Sequence, residues 1–248
     1  MTAMVAGICR HPIKGIGREV LTHVTLSPGE GLPWDRHWAV AHEAANIVPG
    51  WNPCANFVRG AKAPALMAVC ATLDPLARRI TLRHPAQGEL VFRPDDADDA
   101  ARFLDWLRPL VPDGRAQPAG IVAAGRAMTD SDYASVSIIS LASCRDLGAR
   151  MNVQIEPHRW RGNLWVDGAA PFAEFDWVGR EVRIGKALLQ VVERIERCRA
   201  TSANPATGVI DADTLGALHA GYGHQHFGVY ARVIEGGTIQ VDDALVVT

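Results

Sequence analysis

Residues 181–192 read EVRIGKALLQVV, and this stretch decides the predicted fold class. Val182 and Ile184 alternate with charged residues, Gly185 and Lys186 offer a two-residue turn, and a second apolar run follows the turn. This pattern predicts a β-hairpin. The segment also resembles a phosphate-binding loop at first sight, but Ala187 stands where Ser or Thr would be required to bind magnesium. We therefore interpret it as two strands joined by a tight turn.

Short segments of the same kind recur along the whole chain, whereas helical patterns are few. Further strands are predicted at 4–9, 20–26, 37–41, 65–73, 80–83, 89–92, 136–139, 164–166, 228–234, 238–241 and 244–247. Helices are predicted at 95–110, at 140–148 with Ser140 as the cap, and at 213–219. Many strands and few helices indicate a mainly β (α+β) fold with a barrel-like architecture rather than alternating βαβ units.

A change of composition suggests where the chain divides. The stretch 111–128 is rich in proline, glycine and alanine and shows no firm period. Such a composition is typical of a connection between domains. We therefore predict a smaller β-rich domain over residues 1–115 and a barrel-like domain over residues 116–248.

The overall composition is that of an ordinary globular protein: of 248 residues, 48% are hydrophobic and 21% are charged. The formal net charge of −2 provides no basic field for nucleic acid or for an anionic membrane surface. No stretch approaches the roughly 20 apolar residues of a membrane-spanning helix. The five cysteines form no regular framework, and their number is odd. We therefore expect a cytoplasmic protein that binds neither nucleic acid nor membrane.

Four segments concentrate residues suited to binding an anion or a metal. Three combine basic side chains with glycine, namely HPIKG (11–15), GLPWDRHW (31–38) and HRWRGNL (158–164). The fourth, RCRAT (197–201), places Cys198 between two arginines, which favours the thiolate form that binds metals. Each has a simpler explanation when taken alone. Asp35 and Arg36 would form a surface ion pair, and a single cysteine is more often a small buried apolar residue.

Together the segments resemble a known family. Six segments occur in its order: PIKG, GLPWDRHW, RWRGN, PFAEFDWVGREVRIG, RCRATSANPATG and FGVYARVIEGGTIQVDD. They are similar to the MOSC family, which is named for the C-terminal domain of molybdenum cofactor sulfurases. The resemblance covers nearly the whole chain, including the β-rich N-terminal domain that often precedes MOSC. Its pattern is most similar to that of the mitochondrial amidoxime-reducing component and its bacterial relatives.

The resemblance implies a molybdenum–molybdopterin cofactor and assigns its metal ligand. The family's metal-coordinating cysteine falls on Cys198, which would also be the catalytic residue. A thiolate suits molybdenum already held by a dithiolene, because soft sulfur ligands share their charge with the metal. Replacement of cysteines outside the matching segments is expected to have milder effects; these are Cys54, Cys70 and Cys144.

The resemblance also implies the residues that hold the rest of the cofactor. Lys14 and Arg36 match the family's contacts to the pterin phosphate, where the guanidinium would bind two oxygens and the ammonium would act as a point charge. Arg161 and Asn163 match its contacts to the pterin ring. A further cofactor-facing stretch is implied at Asp132, Ser137 and Ser140.

The chain departs from the family pattern at three positions. Relatives commonly have a second cysteine three positions before the metal ligand, where this chain has Ile195. Asn204 replaces the usual acidic residue before proline, and Gly15 replaces a serine after the lysine of the first segment. These changes leave cofactor binding as the expectation but leave the reaction open.

Three functions are compatible with these residues. In the first, the chain is a molybdenum-dependent reductase of N-oxygenated small molecules and receives electrons from a separate donor protein. In the second, Cys198 carries a persulfide, and the chain is a sulfur carrier or transferase. In the third, the basic residues only hold an anion or cofactor without catalysis. Bound molybdenum would favour the first function and a persulfide without molybdenum the second. The sequence leaves the oligomeric state open.

Overall fold

The computed structural model describes residues 3–248. Over this range the strands are β1 (Ala3–Arg10), β2 (Glu19–Leu21), β3 (His23–Leu26), β4 (Trp38–His42), β5 (Cys70–Asp74), β6 (Arg79–His84), β7 (Gly88–Phe92), β8 (Pro118–Ala123), β9 (Val136–Ser140), β10 (Leu164–Asp167), β11 (Glu181–Ile184), β12 (Ala187–Glu196), β13 (His226–Glu235), β14 (Gly237–Gln240) and β15 (Ala244–Val247). The helices are α1 (Ala97–Leu107), α2 (Leu141–Met151) and α3 (Thr214–Tyr222). Within these residues no helix is both long and apolar enough to cross a membrane.

Seven strands close into a barrel, in the order β1, β10, β9, β13, β12, β11, β15 and back to β1. β11 and β12 form the predicted hairpin, with Val182 opposite Leu189 and Ile184 opposite Ala187. Successive residues of a strand point to opposite faces, so the apolar set of each strand fills the barrel. The predicted mainly β fold with a barrel is confirmed.

A smaller β structure lies beside the barrel. β5, β6 and β7 form a three-stranded antiparallel sheet, β4 pairs with β8, and β3 pairs with β14. Helix α1 packs against β7 and β8, and Phe103 stacks on Phe92 with ring centroids 4.5 Å apart. The helix begins after Asp96, whose carboxylate accepts hydrogen bonds from the backbone N–H groups of two following residues.

Helix α2 begins where the sequence predicts. Ser140 Oγ accepts a hydrogen bond from the backbone N–H of Ser143 at 3.2 Å, as expected of a capping serine. The helix continues beyond Gly148 to Met151, and Asn152 then ends it in the left-handed conformation with φ 52°.

Three strand predictions differ from the structure. The predicted strand 20–26 is divided, because β2 pairs with β1 whereas β3 pairs with β14. The predicted strand 65–73 begins only at Cys70, because Pro64 opens a 3-10 turn that continues to Ala68. β8 lies in the stretch 111–128, for which the sequence predicts no strand.

The two predicted sequence domains exchange strands in space. β1 and β2 belong to the barrel sheet although they precede residue 115, and β8 pairs with β4 although it follows residue 115. The division into 1–115 and 116–248 stays a prediction about sequence units.

Strand alternation places two polar residues on the outer wall of the barrel. Ser137 on β9 lies opposite Tyr230 on β13. The chain neighbours of both residues belong to the barrel core; these are Val136, Ile138, Val229 and Ala231. Ser137 and Tyr230 therefore point to the outer face, where the smaller β structure covers the barrel.

Candidate functional site

A cavity of about 270 Å³ lies between the outer face of the barrel and the smaller β structure. It brings together five of the eight predicted site residues, namely Lys14, Arg36, Ser137, Arg161 and Cys198. Asp132, Ser140 and Asn163 are not among the lining residues, and the Ser140 hydroxyl instead caps α2. The cavity therefore collects side chains from segments that are far apart in sequence.

Cys198 lies directly after β12, at the start of a 3-10 turn formed by Arg199–Ser202. Its backbone carbonyl accepts hydrogen bonds from the backbone N–H of Thr201 at 3.2 Å and from the hydroxyl of Thr201 at 3.1 Å. These bonds fix the backbone, whereas the thiol is free and exposed. The sulfur is therefore available to a metal or to a reactive small molecule.

Arg36 is held by a buried partner rather than by a surface ion pair, which corrects the simpler interpretation of Asp35 and Arg36. The Asp35 carboxylate is buried, accepts a hydrogen bond from Arg36 Nη1, and accepts another from the backbone N–H of His11 at 2.7 Å. Burial alone would raise the pKa of Asp35, but Arg36 and His11 hold it well below its usual range. The second Arg36 nitrogen, Nη2, donates to the backbone carbonyl of Arg161 at 3.1 Å.

Lys14 is buried, and its ammonium already has two acceptors. Nζ donates to the backbone carbonyl of Met128 at 2.8 Å and to Asp130 Oδ1 at 2.5 Å. Burial lowers the pKa of Lys14, and the Asp130 carboxylate opposes that shift. The Asp130 side chain is 61% exposed, so this acceptor lies toward solvent.

Two further arginines face the cavity, and nearby carboxylates compensate little of their positive charge. Arg161 Nη2 donates to the backbone carbonyl of Gly17 at 3.2 Å, and burial together with nearby Arg36 lowers the pKa of Arg161. Arg197 donates from Nε to Phe227 O at 2.8 Å and from Nη1 to Trp160 O at 2.9 Å. Arg197 Nη2 is buried and has no hydrogen-bond partner. Arg197 stands next to Cys198 in the segment RCRAT. That position indicated an effect on the cysteine, but it did not indicate that Arg197 itself would contact a ligand.

Asn163 connects strands rather than facing the cavity. Its Oδ1 accepts from the backbone N–H of Ser137 at 3.1 Å and from the Ser137 hydroxyl at 2.8 Å, and its Nδ2 donates to Cys9 O at 3.2 Å. The Asn163 side chain therefore holds Ser137, which does line the cavity. The structure places Asn163 as a scaffold residue behind the wall, because its amide is used within the protein.

Asp132 lies apart from this group. Its side chain is exposed, and it follows Ser131 in the irregular segment before β9. Asp130, two positions earlier, lines the cavity in its place and contacts Lys14.

The cavity is strongly cationic. Six basic side chains line it: Lys14, Arg36, Arg59, Arg159, Arg161 and Arg197. The acidic lining residues are Asp130 and Glu196. Arg159 is paired outside this set, with Nη2 2.6 Å from Asp211 Oδ1. The excess of positive charge suits an anionic ligand.

Tyr230 adds a neutral hydrogen-bond donor to this wall. Burial and the nearby Asp130 carboxylate raise the pKa of Tyr230 to about 12. The phenol therefore keeps its proton at neutral pH and can donate to a ligand oxygen.

Family comparisons agree with this geometry. The MOSC domain matches residues 125–246, and the MOSC N-terminal beta barrel domain matches residues 2–108. The chain belongs to the MOSC family. Curated relatives include mitochondrial amidoxime-reducing component 1 of Mus musculus, which is 25% identical over 242 residues, 84% of this chain and 71% of the relative. Mitochondrial amidoxime reducing component 2 of Homo sapiens is 32% identical over 124 residues, 45% of this chain and 36% of the relative.

One further curated relative and one solved structure are also similar to this chain. Molybdenum cofactor sulfurase of Drosophila grimshawi is 32% identical over 100 residues, 40% of this MOSC chain and 13% of the relative. Among solved structures, the YUAD protein from Bacillus subtilis aligns with a TM-score of 0.51 and 14% identity, covering 100% of this chain and 96% of the other. At that identity the structural likeness shows the fold alone.

One lining residue of this MOSC protein was not expected from its sequence. Cys54 matches no family segment, yet it lines the same cavity as Cys198. Its sulfur lies 2.6 Å from Arg59 Nη1. No local pattern could have revealed this, because the contact depends on how the segment between β4 and β5 packs against the barrel.

Proposed function

We propose that this MOSC protein binds a molybdenum–molybdopterin cofactor in the cavity, with Cys198 as the thiolate ligand of the metal. The protein would reduce N-oxygenated small molecules with electrons from a separate donor protein. The observation that supports this proposal is the convergence of a free, exposed cysteine and several arginines, most of them half-buried, on one cavity.

The donor groups of the cavity fit an anionic cofactor. Arg197 Nη2 is buried without an acceptor, and a buried unpaired donor is costly, on the order of 1–3 kcal/mol. A phosphate or sulfur-rich ligand in the cavity would supply that acceptor. Arg161 has no carboxylate partner among residues 3–248, so an anion would also relieve the cost of its burial.

Each wall of the cavity then has a distinct task. Arg36, oriented by buried Asp35, would bind phosphate oxygens. Lys14 would also bind them once its hydrogen bond with Asp130 is broken. Ser137 and Arg161 would contact the pterin. Cys198 would bind the metal through sulfur, a soft ligand suited to it. When bound, the cofactor supplies the oxygen-atom and electron transfer, whereas these residues hold it and balance its charge.

The protein's own groups also shape the environment of a substrate. Tyr230 carries its proton at neutral pH and can donate a hydrogen bond to a polarised N–O oxygen. The exposed side of Cys198 leaves one approach open to solvent, which suits a small molecule.

The test uses protein produced in a host that makes molybdopterin. Molybdenum, pterin and hydroxylamine reduction with an artificial electron donor should be present in the wild type. Cys70→Ala provides a matched control, because Cys70 lies outside this cavity. Wild-type protein that carries neither molybdenum nor pterin, although a known molybdoenzyme from the same host carries both, would contradict the proposal.

A second candidate function is sulfur transfer through a persulfide on Cys198. It is favoured by the presence of a second thiol, Cys54, in the same cavity. Cyanide releases thiocyanate from a persulfide, so stoichiometric thiocyanate from molybdenum-free protein would support this candidate over the reductase.

We also propose a cytoplasmic location, because all five cysteines are free, as is typical of a reducing compartment.

A further inference from the structure

Two thiols from distant parts of the chain meet at one cavity. Cys54 lies in the 3-10 turn Cys54–Asn56, within the long connection between β4 and β5. Cys198 lies after β12 on the barrel side. Both line the cavity, and both are free. The cavity is therefore lined by two free thiols rather than by one.

A basic neighbour holds Cys54 at the wall of the cavity. Arg59 Nη1 lies 2.6 Å from the Cys54 sulfur, and Arg59 also lines the cavity. The contact therefore holds the Cys54 side chain at the wall of the cavity. Arg59 has no carboxylate partner within salt-bridge distance among residues 3–248, so no ion pair competes with the sulfur for its guanidinium.

The other three cysteines do not share these properties. Cys9 and Cys144 are buried, and burial raises the pKa of each to about 11. Their thiols therefore stay protonated and enclosed. Cys70 is half-buried and lies beside a separate surface depression with Arg18.

We propose that Cys54 is a resolving thiol for Cys198, and that hydrogen peroxide converts the pair to a Cys54–Cys198 disulfide in the cofactor-free protein. In the first step the Cys198 thiolate attacks one peroxide oxygen, the O–O bond breaks, and hydroxide leaves, so that Cys198 becomes a sulfenic acid. In the second step the Cys54 thiolate attacks the Cys198 sulfur, the S–O bond breaks, and a second hydroxide leaves. The two sulfurs lose two electrons in total, and peroxide gains them.

The disulfide would protect the site and close it reversibly. It would prevent further oxidation of the Cys198 sulfenic acid to irreversible sulfur acids. It would also occupy the sulfur that a metal needs, until a dithiol reductant restores both thiols. A disulfide requires Cα atoms within about 7 Å, so the turn that carries Cys54 must adjust toward the barrel if it lies farther away. That turn belongs to an irregular connection, where such adjustment is least costly.

The test is made on cofactor-free protein from a host that lacks molybdopterin, so its outcome does not depend on whether the proposed cofactor binds. The protein carries Cys70→Ser, is treated with hydrogen peroxide, and is then digested after glutamate without reductant. Peptides 44–89 and 197–235 should appear linked, and each then contains a single cysteine, Cys54 or Cys198. Dithiothreitol should separate them.

Two variants sharpen the result. Cys54→Ser should lose the linked peptide and should instead accumulate Cys198 sulfenic acid, which dimedone traps. Arg59→Gln should slow disulfide formation but leave the first oxidation of Cys198 unchanged, and an equal rate of disulfide formation would contradict the role given to Arg59. If Cys54-containing protein gives no linked peptide and as much dimedone adduct on Cys198 as Cys54→Ser gives, the resolving role is wrong.

Discussion

The buried carboxylate of Asp35 holds the guanidinium of its chain neighbour Arg36 at the edge of the cavity. Neither side chain can be removed without leaving the other charge buried and unpaired. Because Asp35 fixes the position of the Arg36 guanidinium, Arg36 can present a positive charge to a ligand although it lies between strands. This relationship also makes the pair testable apart from any cofactor.

Asp35→Asn should lower the free energy of unfolding by about 3–5 kcal/mol, because Arg36 then lacks its counter-charge. The double variant Asp35→Asn, Arg36→Gln should recover part of that loss, since no unpaired charge remains. Chemical denaturation of the two variants and the wild type measures both effects. A double variant at least as unstable as the single one would argue against a coupled buried pair.

The same pair predicts how stability depends on pH. The folded-state pKa of Asp35 lies below its ordinary value of 3.8, so its contribution is fully present above that pH. It is lost as the pH falls further and the folded-state carboxylate gains a proton. Asp35→Asn should therefore flatten the loss of stability between roughly pH 4 and pH 2. Acid unfolding followed by circular dichroism would show this, and identical acid profiles for both proteins would count against it.

Arg36 is expected to contribute to cofactor affinity beyond its structural role. A hydrogen bond to a charged group contributes on the order of 1.5–3 kcal/mol, so loss of Arg36 should weaken cofactor binding by about ten- to a hundred-fold. The double variant Asp35→Asn, Arg36→Gln is the suitable protein, because it leaves no buried unpaired charge. Retention of pterin during dialysis provides the measurement. Wild-type retention by a folded double variant would remove Arg36 from the site.

The Asp130 carboxylate accepts a hydrogen bond from the Lys14 ammonium at the place where an anion is expected to bind. Asp130→Asn should therefore increase the thermal stabilisation that inorganic pyrophosphate gives to the cofactor-free protein, whereas Lys14→Met should reduce it. Asp132→Asn is a matched control, since Asp132 is exposed and outside the cavity. An equal response of Asp130→Asn and the control would show that Asp130 does not compete with the anion.

Asn163 separates a scaffold role from a ligand contact. Asn163→Ala leaves Ser137 N and Cys9 O without their partner and should lower the free energy of unfolding by about 1–3 kcal/mol, even in cofactor-free protein. Denaturant unfolding without cofactor is the relevant measurement. Unchanged stability combined with lost pterin would restore the direct ring contact that the family pattern implies.

Local pattern was sufficient for much of the fold. The alternation at Val182 and Ile184 and the turn after them predicted a hairpin whose bounds match β11, and the hydroxyl of Ser140 predicted the start of α2. β8 escaped prediction because its sequence, PAGIVA, has no clear alternation and acquires its strand structure by pairing with β4. The division of 20–26 also depends on separate partners, which no local pattern contains.

The site divides in the same way. Segment order was enough to suggest Lys14, Arg36, Arg161 and Cys198, and the structure brings all four to one cavity. Whether a side chain reaches the cavity or supports its wall depends on hydrogen bonds across strands, which decides the placement of Asn163. The position of Cys54 at the cavity depends on packing between distant segments, and no sequence pattern indicated it.

The molybdenum-to-protein ratio of the purified protein tests most directly whether Cys198 holds molybdenum in this cavity. Wild type and Cys70→Ala, produced in a molybdopterin-competent host, should carry comparable molybdenum, whereas Cys198→Ala should lose the metal while its circular dichroism spectrum stays unchanged. The thiol of Cys198 is exposed, so its removal should cost little folding energy compared with the loss of a metal bond. Full molybdenum content in folded Cys198→Ala would contradict the assignment of the ligand.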